Sequence, residues 1–522
     1  MLFTSFNFLL FAAVVLVLYY SVPGKYQWGL LLAASYVFYL CAGTQILFFI
    51  LFTTITVFVT ARWIGAQLEK QDAYLKENKA SMSRDERKLY KNRIKQGNRR
   101  YMILCLVANF LVLAVCKSVL VEPFRTMAQG GGLSFLTLGL PLGISFYMFQ
   151  STGYLIDVYR GTVKAEKNPW KFALFVSFFP QLVQGPISKF GQLAPQLTQP
   201  HAYDGRTLTF GLQRMLWGYF KKMVVADRIA AAVVALKGPE YMGFGFVLLS
   251  MFYAVQIYCD FTGGIDVTIG LAEAMGIRLT ENFVRPYFSK NIAEYWRRWH
   301  ISLGEWMKDY IFYPISVCQP MLKLAKASRK KLGNFGKRLP VYIASIATWF
   351  VTGIWHGMTP NFVVWGMLNC FVIVVSEELA PLYEKFHNRF HLKEKTWYGG
   401  FEILRMFLLM NMIRVCDLFP QVGEYWKRMG SLFTTFNFSL LWDGSMMKLG
   451  LTGLDYAIIG LSIVLMFAVS LYQEKRGSVR EMLQTKPAAV RYVLIYGLFL
   501  VVLLMGSYGI GYNAGNFIYN QF

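Results

Sequence analysis

Long apolar stretches alternate with shorter polar segments along the whole chain. A helix needs about 20 mainly apolar residues to cross a bilayer. The clearest windows near that length are residues 4–21, 27–43, 46–61, 101–117, 134–157, 244–262, 340–355, 362–376, 401–416, 454–472 and 492–509. Backbone polar groups cannot stay unpaired in lipid, so each window is expected to be helical. The pattern predicts an all-α, polytopic membrane protein with roughly 11 or more transmembrane helices.

The middle third of the chain, from about residue 170 to 320, does not fit this simple spanning pattern. FFPQLVQGPI carries Gly185 and Pro186, which break helices. The stretches 217–229 and 281–315 mix aromatic and charged residues and are too polar to face lipid. Such segments are tolerated at membrane depth only where protein buries them or they line a wet cavity. We therefore expect re-entrant or interfacial helices around a cavity.

The composition agrees with a membrane protein. Hydrophobic residues make up 55% of the 522 residues and charged residues 16%, against roughly 25% charged in soluble proteins. The first apolar segment lacks a basic flank and a small-residue cleavage site, so we interpret it as a retained helix rather than a signal peptide. The seven cysteines occur singly, which predicts neither a disulfide framework nor a metal site.

The net charge of +24 is concentrated between the apolar windows. Nucleic-acid binding is one interpretation of such a charge, but the positive-inside rule accounts better for its position. The densest basic segment, residues 62–100, is therefore expected to be a cytoplasmic loop, and both termini then fall outside the cytoplasm. Membrane lipids are the expected surface partners, and nucleic acid is not.

We expect one membrane domain over residues 1–522. Its parts are N-terminal helices at 1–117 with the cytoplasmic basic loop 62–100, a core at 134–376, and C-terminal helices at 401–522.

His356 is the first candidate for chemistry, because it stands between two apolar runs in GIWHGMTPN. The structural alternative is a histidine whose ring is hydrogen-bonded to a backbone carbonyl at a helix end. Ionisable groups at membrane depth are costly and usually mark a pathway or a reaction site, which favours a general base. Gly353 and Gly357 allow another chain or a substrate to approach closely, and Trp355 and Trp365 are placed to wall the pocket.

His300 is the second candidate, within EYWRRWHISLGEW. The sequence predicts an amphipathic helix here, with Trp296 and Trp299 at the interface. Arg297 and Arg298 are suited to bidentate contact with phosphate on a cytoplasmic donor. An interfacial helix with snorkelling arginines is the structural alternative, and it is compatible with donor binding.

Several other classes lose support. The chain has no Gly-rich phosphate loop, no GxSxG elbow and no zinc-like ligand set, which disfavours hydrolases and nucleotide-driven pumps. A proton-coupled transporter would be expected to show inverted repeats, and no clear internal repeat is visible. A noncatalytic scaffold for a polysaccharide synthase stays open as a third class.

The motifs together resemble the membrane-bound O-acyltransferase superfamily. The segments that carry the resemblance are MLFTSFNFLLF, PLGISFYMFQSTGYLIDVYRG, FFPQLVQGPISKF, WGYFKKMVVADR, YCDFTGGIDVTIGLAEAMGI, ENFVRPYFSKNIAEYWRRWHISLGEWMKDYIFYP and GIWHGMTPNFVVWG. They are most similar to the bacterial branch with the membrane subunit of alginate O-acetyltransferases, and more distantly to teichoic-acid D-alanylation transferases.

The resemblance implies a funnel-shaped fold with a tunnel, His356 as the catalytic histidine and His300 as the second active-site histidine. Gln181 stands where several relatives carry histidine, and it is a candidate for donor binding. MNMIRVCDLF is a loose version of the arginine-bearing helix of the family, which leaves the role of Arg414 open.

The sequence NFIYNQF resembles an F-x-Y-x-x-F motif of the small partner peptide in teichoic-acid D-alanylation. Phe517, Tyr519 and Phe522 match it. The resemblance implies that Tyr519 carries the acyl group transiently. Aromatic anchoring at the membrane interface is the alternative.

The predicted function is an O-acyltransferase of a bacterial inner membrane. It would move an acyl group, above all acetyl, from a cytoplasmic thioester to an extracytoplasmic polysaccharide, with an extracytoplasmic acyltransferase partner. The donor is expected to be acetyl-CoA or an acylated carrier protein, with no bound cofactor. D-Alanyl transfer to teichoic acid is the alternative within the family.

Overall fold

The computed structural model describes residues 3–44, 46–118 and 141–508, and these ranges are mainly helical. The one β-type pairing among the described residues is an isolated antiparallel bridge between Phe283 and Trp299. The predicted all-α fold is confirmed.

The described residues form two compact units, each with its own internal contacts. Of the described residues, the first unit contains 5–44, 46–118, 141–211 and 271–280, and the second contains 3–4, 212–270 and 281–508. Two helices contribute residues to both units. The division of the chain into N-terminal, core and C-terminal parts stays a prediction.

The first unit is built on long helices joined to short ones. Its helices are α1 (Phe6–Ser21), α2 (Gln27–Leu40), α3 (Leu47–Glu77), α4 (Arg84–Ser118), α5 (Ile144–Arg160), α6 (Pro169–Ser177), α7 (Phe179–Leu182), α8 (Phe190–Thr198) and the start of α9 (Gly205–Tyr219), with a 3₁₀ turn at Gly24–Tyr26. Helix α3 packs against both α4 and α5. The Tyr154 ring lies 4.8 Å from the Phe172 ring and 4.5 Å from the Phe190 ring, which ties α5, α6 and α8 together.

The second unit contains the remaining helices. They are the end of α9, a π-helix at Phe220–Ala226, α10 (Asp227–Leu236), α11 (Phe244–Ala274, whose last turn belongs to the first unit), α12 (Ile292–Arg298), α13 (Ile301–Met307), a π-helix at Lys308–Phe312, α14 (Tyr313–Ser316), α15 (Gln319–His356), α16 (Pro360–Arg389), α17 (Thr396–Arg414), α18 (Val422–Ser431), α19 (Gly453–Arg476), α20 (Val479–Gln484) and α21 (Ala488–Met505). Short 3₁₀ helices occur at Pro286–Phe288, Leu392–Glu394, Val415–Leu418, Phe438–Leu441 and Ser445–Leu449. Helix α15 packs along α16, and α21 packs on the first π-helix.

Among the described residues, seven helices are long and apolar enough to cross a membrane: α3, α4, α11, α15, α16, α19 and α21. Helix α1 is also apolar but has 16 residues. Each predicted window overlaps a helix, although residues 134–140 lie outside the described part. The polytopic membrane character is confirmed, whereas the number of spans stays a prediction.

The basic segment 62–100 differs from the predicted loop. Helix α3 continues to Glu77 and α4 begins at Arg84, so the connection covers only residues 78–83. Lys, Arg, Glu and Gln are good helix formers, so the loss of hydropathy marks the end of the apolar part and not the end of the helix. The side of the membrane that it occupies stays a prediction.

The helix break predicted in FFPQLVQGPI is present. Helix α7 has four residues and ends at Leu182, and residues 185–189 are not helical. A side chain on Gly185 would come within 2.3 Å of Gln181, so the tight turn requires glycine there.

Candidate active site

His300 lies at a break between two short helices rather than within the single helix that the sequence predicts. Helix α12 ends at Arg298 and α13 begins at Ile301. The Ile301 amide donates to the Asn282 carbonyl at 3.0 Å, beside the bridge of Phe283 with Trp299. This long-range pairing extends the backbone at Trp299 and holds His300 at φ 48°, a left-handed conformation that non-glycine residues seldom adopt.

Two further sets of contacts hold the His300 segment. The Ser302 amide and hydroxyl both donate to the Asn282 side chain, at 3.0 and 2.9 Å. Arg298 forms ion pairs with Glu294 at 2.7 Å and with Glu474 at 2.9 Å. These contacts hold in place the segment that carries the strained backbone of His300. Backbone strain maintained by surrounding contacts is typical of functional sites.

His356 is the last residue of α15 and is 4% exposed. A side chain on Gly353 would lie 2.5 Å from the Phe362 carbonyl oxygen, and one on Gly357 would lie 2.2 Å from the Phe362 ring. A side chain on Gly366 would lie 2.4 Å from the Trp349 carbonyl oxygen. The glycines around His356 thus permit close packing of α15 on the first turns of α16, and the approach of a substrate at these glycines stays a prediction.

A series of rings connects the two histidines. The His300 ring centroid lies 6.0 Å from that of Trp355, which lies 4.9 Å from that of His356. The His356 ring is in turn 4.8 Å from the Trp365 ring. On its other side, His300 lies 4.9 Å from the Phe261 ring of α11. The structure brings the two candidate histidines and the two predicted wall tryptophans into one aromatic cluster.

Arg414 and Asp417 add charge to this cluster. Arg414 Nε lies 2.8 Å from an Asp417 carboxylate oxygen, and both residues are under 10% exposed. The Arg414 guanidinium lies over the rings of Trp299 and Trp365. The Asn361 amide donates to the carbonyls of Cys416 and Asp417 at 3.2 and 3.1 Å, which fixes this turn against α16.

The surroundings set the protonation states of two groups that lie outside the spanning helices. Burial, and then the charge of Arg414, lowers the pKa of His300 to about 3. Burial raises the pKa of Asp417 to about 6, although Arg414 opposes that rise. At neutral pH His300 is therefore a neutral imidazole and Asp417 is mainly a carboxylate. A neutral imidazole can accept a proton or donate its N–H hydrogen bond.

The residues predicted to bind the donor fall into different environments. The Trp296 ring contacts the ring of Trp365 at 5.9 Å, so Trp296 adjoins the histidine cluster. Arg298 is engaged by two carboxylates, whereas Arg297 is exposed. The structure places Trp296 at the site, and the donor-binding roles stay predictions.

Gln181 belongs to the first unit. Its amide nitrogen donates to the Gln150 side chain at 2.9 Å, and its oxygen accepts from the Ser188 hydroxyl at 3.0 Å. All three side chains are buried. This hydrogen bonding gives Gln181 a structural function of its own, and its predicted donor-binding role stays a prediction.

The remaining candidates were Phe517, Tyr519 and Phe522, which lie outside the described residues. Asp417, Phe261 and Asn361 are site residues that sequence reasoning missed. For Asp417 a signal was present, because a carboxylate three residues after Arg414 in an apolar run predicts an ion pair on one helix face.

Part of the chain matches the sequence model of a known family. The family model described as MBOAT, membrane-bound O-acyltransferase family, matches residues 166–418. This range contains both candidate histidines, Arg414 and Asp417.

Three relatives illustrate the similarity. A probable alginate O-acetylase of Azotobacter vinelandii is 35% identical over 380 residues, which is 70% of this chain and 66% of that relative. One from Pseudomonas putida is 34% identical over 394 residues, 73% of this chain and 71% of the relative. A peptidoglycan O-acetyltransferase of Helicobacter pylori is 28% identical over 399 residues, 65% of this chain and 71% of the relative. This chain is a multi-pass membrane protein and belongs to the membrane-bound O-acyltransferase family.

Proposed function

We propose that the protein transfers an acetyl group from a cytoplasmic thioester to a hydroxyl group of an extracytoplasmic polysaccharide. The observation that carries the proposal is the aromatic cluster in which the rings of His300 and His356, from separate segments, both contact the Trp355 ring. Relatives whose names specify acetylation of alginate and of peptidoglycan support acetyl as the group and a glycan as the acceptor.

The chemistry requires a base, and His356 supplies it. His356 accepts the proton of the hydroxyl group that first receives the acetyl group, while that oxygen attacks the thioester carbonyl carbon. The new C–O bond forms, the C–S bond breaks, and the proton passes to the departing thiolate. His300, which is neutral at pH 7, donates an N–H hydrogen bond to the carbonyl oxygen as negative charge develops on it.

The burial of the site favours transfer over hydrolysis. His300 is 2% exposed and His356 is 4% exposed. Tryptophan and phenylalanine rings surround both imidazoles. Excluding water protects a reactive thioester and strengthens the electrostatic interactions around it.

We place the protein in a bacterial inner membrane, with the basic helical segment 62–100 on the cytoplasmic side. The positive-inside rule supports this orientation. Acetyl-CoA is the donor, and an extracytoplasmic acyltransferase completes the transfer to the glycan.

A donor assay tests the function. Inside-out membrane vesicles that contain the protein, its extracytoplasmic acyltransferase partner and the native glycan are supplied with either [¹⁴C]acetyl-CoA or a ¹⁴C-D-alanyl carrier protein. We expect alkali-labile acetate in the glycan fraction only with the first donor. Labelled D-alanine in that fraction would establish the alternative within the family. Absence of label from both donors would contradict the acyltransferase proposal.

Tyr519 provides a second, separable proposal, which rests on the resemblance alone. His356 would take the phenol proton as the Tyr519 oxygen attacks the thioester, and the resulting ester would then pass its acetyl group to the glycan. We expect mass spectrometry to find labelled acetyl on the peptide that contains Tyr519. An unlabelled peptide, together with full glycan acetylation by Tyr519→Phe, would reject this step and leave the transferase intact.

A further inference from the structure

Arg414 is a buried cation that lies over two tryptophan rings beside the histidines. Its guanidinium carbon lies 5.8 Å from the ring centroid of Trp299 and 5.2 Å from that of Trp365. The residue is 5% exposed. A desolvated guanidinium is attracted to the face of a tryptophan ring, so this arrangement resists displacement of either ring.

The two rings belong to the two histidine segments. Trp299 directly precedes His300 and forms the backbone bridge that holds its left-handed conformation. Trp365 stands on α16 and contacts the His356 ring at 4.8 Å. Arg414 therefore links segments that are more than 60 residues apart in sequence.

The position of Arg414 is itself fixed. Asp417 pairs with it at 2.8 Å, and Asn361 holds the backbone of the same turn. A buried ion pair often adds little net stability compared with apolar residues, and specifying one arrangement is among its attested uses.

We propose that Arg414 is a positioning residue of the acyltransfer site: held by Asp417, its guanidinium sets Trp299 and Trp365, and through them the two histidines, and places a positive charge beside His300. The inference rests on the proposed function. It predicts a geometric effect, carried by the planar guanidinium, and an electrostatic effect, carried by its charge.

The electrostatic effect has a definite sign. The charge of Arg414 adds to burial in lowering the pKa of His300, so its loss raises that pKa. Among the described residues, Asp417 balances the charge of Arg414, and the Tyr253 hydroxyl stabilises the Asp417 carboxylate. His356 is a further ionisable group, and its ring, like that of His300, contacts Trp355. Protonation of His300 then begins at a higher pH in a variant that lacks the charge.

Helix α11 also packs on His300, through Phe261. The adjacent carboxylate, Asp260, is bound by Lys222. Asp260 is therefore already paired with a cation, so Arg414 is the charge that the variants change.

The experiment compares kcat and KM for acetyl-CoA across pH 4–8 in four full-length proteins: wild type, Arg414→Gln, Arg414→Lys and Arg405→Gln. Arg405 is the matched control, because it is an exposed arginine on the same helix, α17. Size-exclusion profiles establish that each variant is folded.

We expect Arg414→Gln to lower kcat by about 10- to 100-fold with KM nearly unchanged, because small displacements of catalytic groups cost that much. Its acid limb should move to higher pH and so enter this range, because the wild-type His300 pKa of about 3 lies below it. Arg414→Lys should restore the acid limb but only part of kcat, because an ammonium keeps the charge without the planar stacking surface. Arg405→Gln should match wild type.

Two results would overturn the inference. One is wild-type kcat in Arg414→Gln, and the other is a reduced kcat with an unmoved acid limb, which indicates only structural damage. Either result with an active wild type would leave the acyltransferase function standing. An inactive wild-type protein would overturn both proposals.

Discussion

Replacing His356 by alanine is expected to lower acyl transfer by about 10²- to 10⁴-fold, the usual contribution of a general base. His356 ends α15, and its ring lies between those of Trp355 and Trp365. Alanine removes the proton acceptor but leaves both tryptophans in place. The measurement is alkali-labile [¹⁴C]acetate in the glycan fraction of vesicles with equal amounts of folded protein.

The matched control is His391→Ala. His391 is an exposed histidine whose Nδ1 lies 3.4 Å from the Glu394 carboxylate. We expect this variant to retain wild-type transfer. If His356→Ala were equally active, the base assignment would be wrong, and a scaffold for another enzyme would become the better interpretation.

Hydrophobic pattern predicted the parts of the fold that depend on local sequence. Each apolar window overlaps a helix, because apolar length alone decides whether a segment can cross lipid. Gly185 and Pro186 predicted the break after Leu182 for a similarly local reason. Lys221 and Lys222 were placed correctly in a segment too polar for lipid, and both are buried in protein.

The extent of the helices beyond the membrane was harder to predict. In residues 62–100 the apolar pattern stops at the expected place, but the helices continue. Charged side chains and helical backbone are compatible in water. A change in hydropathy along the sequence therefore marks where a helix passes from lipid into water, and it does not mark where the helix ends.

The backbone conformation of His300 could not be predicted from the residues next to it in the sequence. EYWRRWHISLGEW has the composition of one amphipathic helix, and its Glu294–Arg298 pair forms as helical spacing predicts. The break at His300 depends on backbone pairing with residues 282–284, which lie some 16 positions earlier. Nonlocal contacts of this kind override local propensity.

The sequence also predicted the charged residues of the site only in part. Arg414 was recognised through a family pattern, but its relation to Trp299 and Trp365 depends on the packing of three separate segments. Sequence spacing could suggest its pairing with Asp417 and nothing more. The chemistry of the site therefore follows from tertiary contacts, even though both histidines were identifiable beforehand.

The buried ion pairs of the second unit should make its stability unusually sensitive to single charge changes. Lys222, on the π-helix, is 2% exposed and contacts Asp227 at 2.8 Å as well as Asp260 of α11. Lys221 beside it binds Asp266 at 2.6 Å. π-Helical turns place successive residues differently from an α-helix and often mark functional sites. Here the turn presents both ammonium groups to carboxylates of α11.

Replacing Lys222 by methionine is expected to destabilise the protein by about 3–5 kcal/mol, because the buried Asp260 and the partly buried Asp227 lose their shared cation. Methionine nearly preserves the volume of the side chain, so a packing defect does not account for such a loss. The measurement is the midpoint of thermal unfolding in detergent, followed by size-exclusion chromatography. Lys237→Met, at an exposed lysine in the cap of α10, should leave the midpoint unchanged.

A rescue separates charge from packing in this prediction. Adding Asp227→Asn and Asp260→Asn to Lys222→Met removes the uncompensated negative charges, so the triple variant should recover much of the lost stability. Equal midpoints for Lys222→Met and wild type would show that the ion pairs are dispensable. If the triple variant were no more stable than Lys222→Met, removing the negative charges would have restored no stability. The loss would then come from a change in the shape of the π-helix.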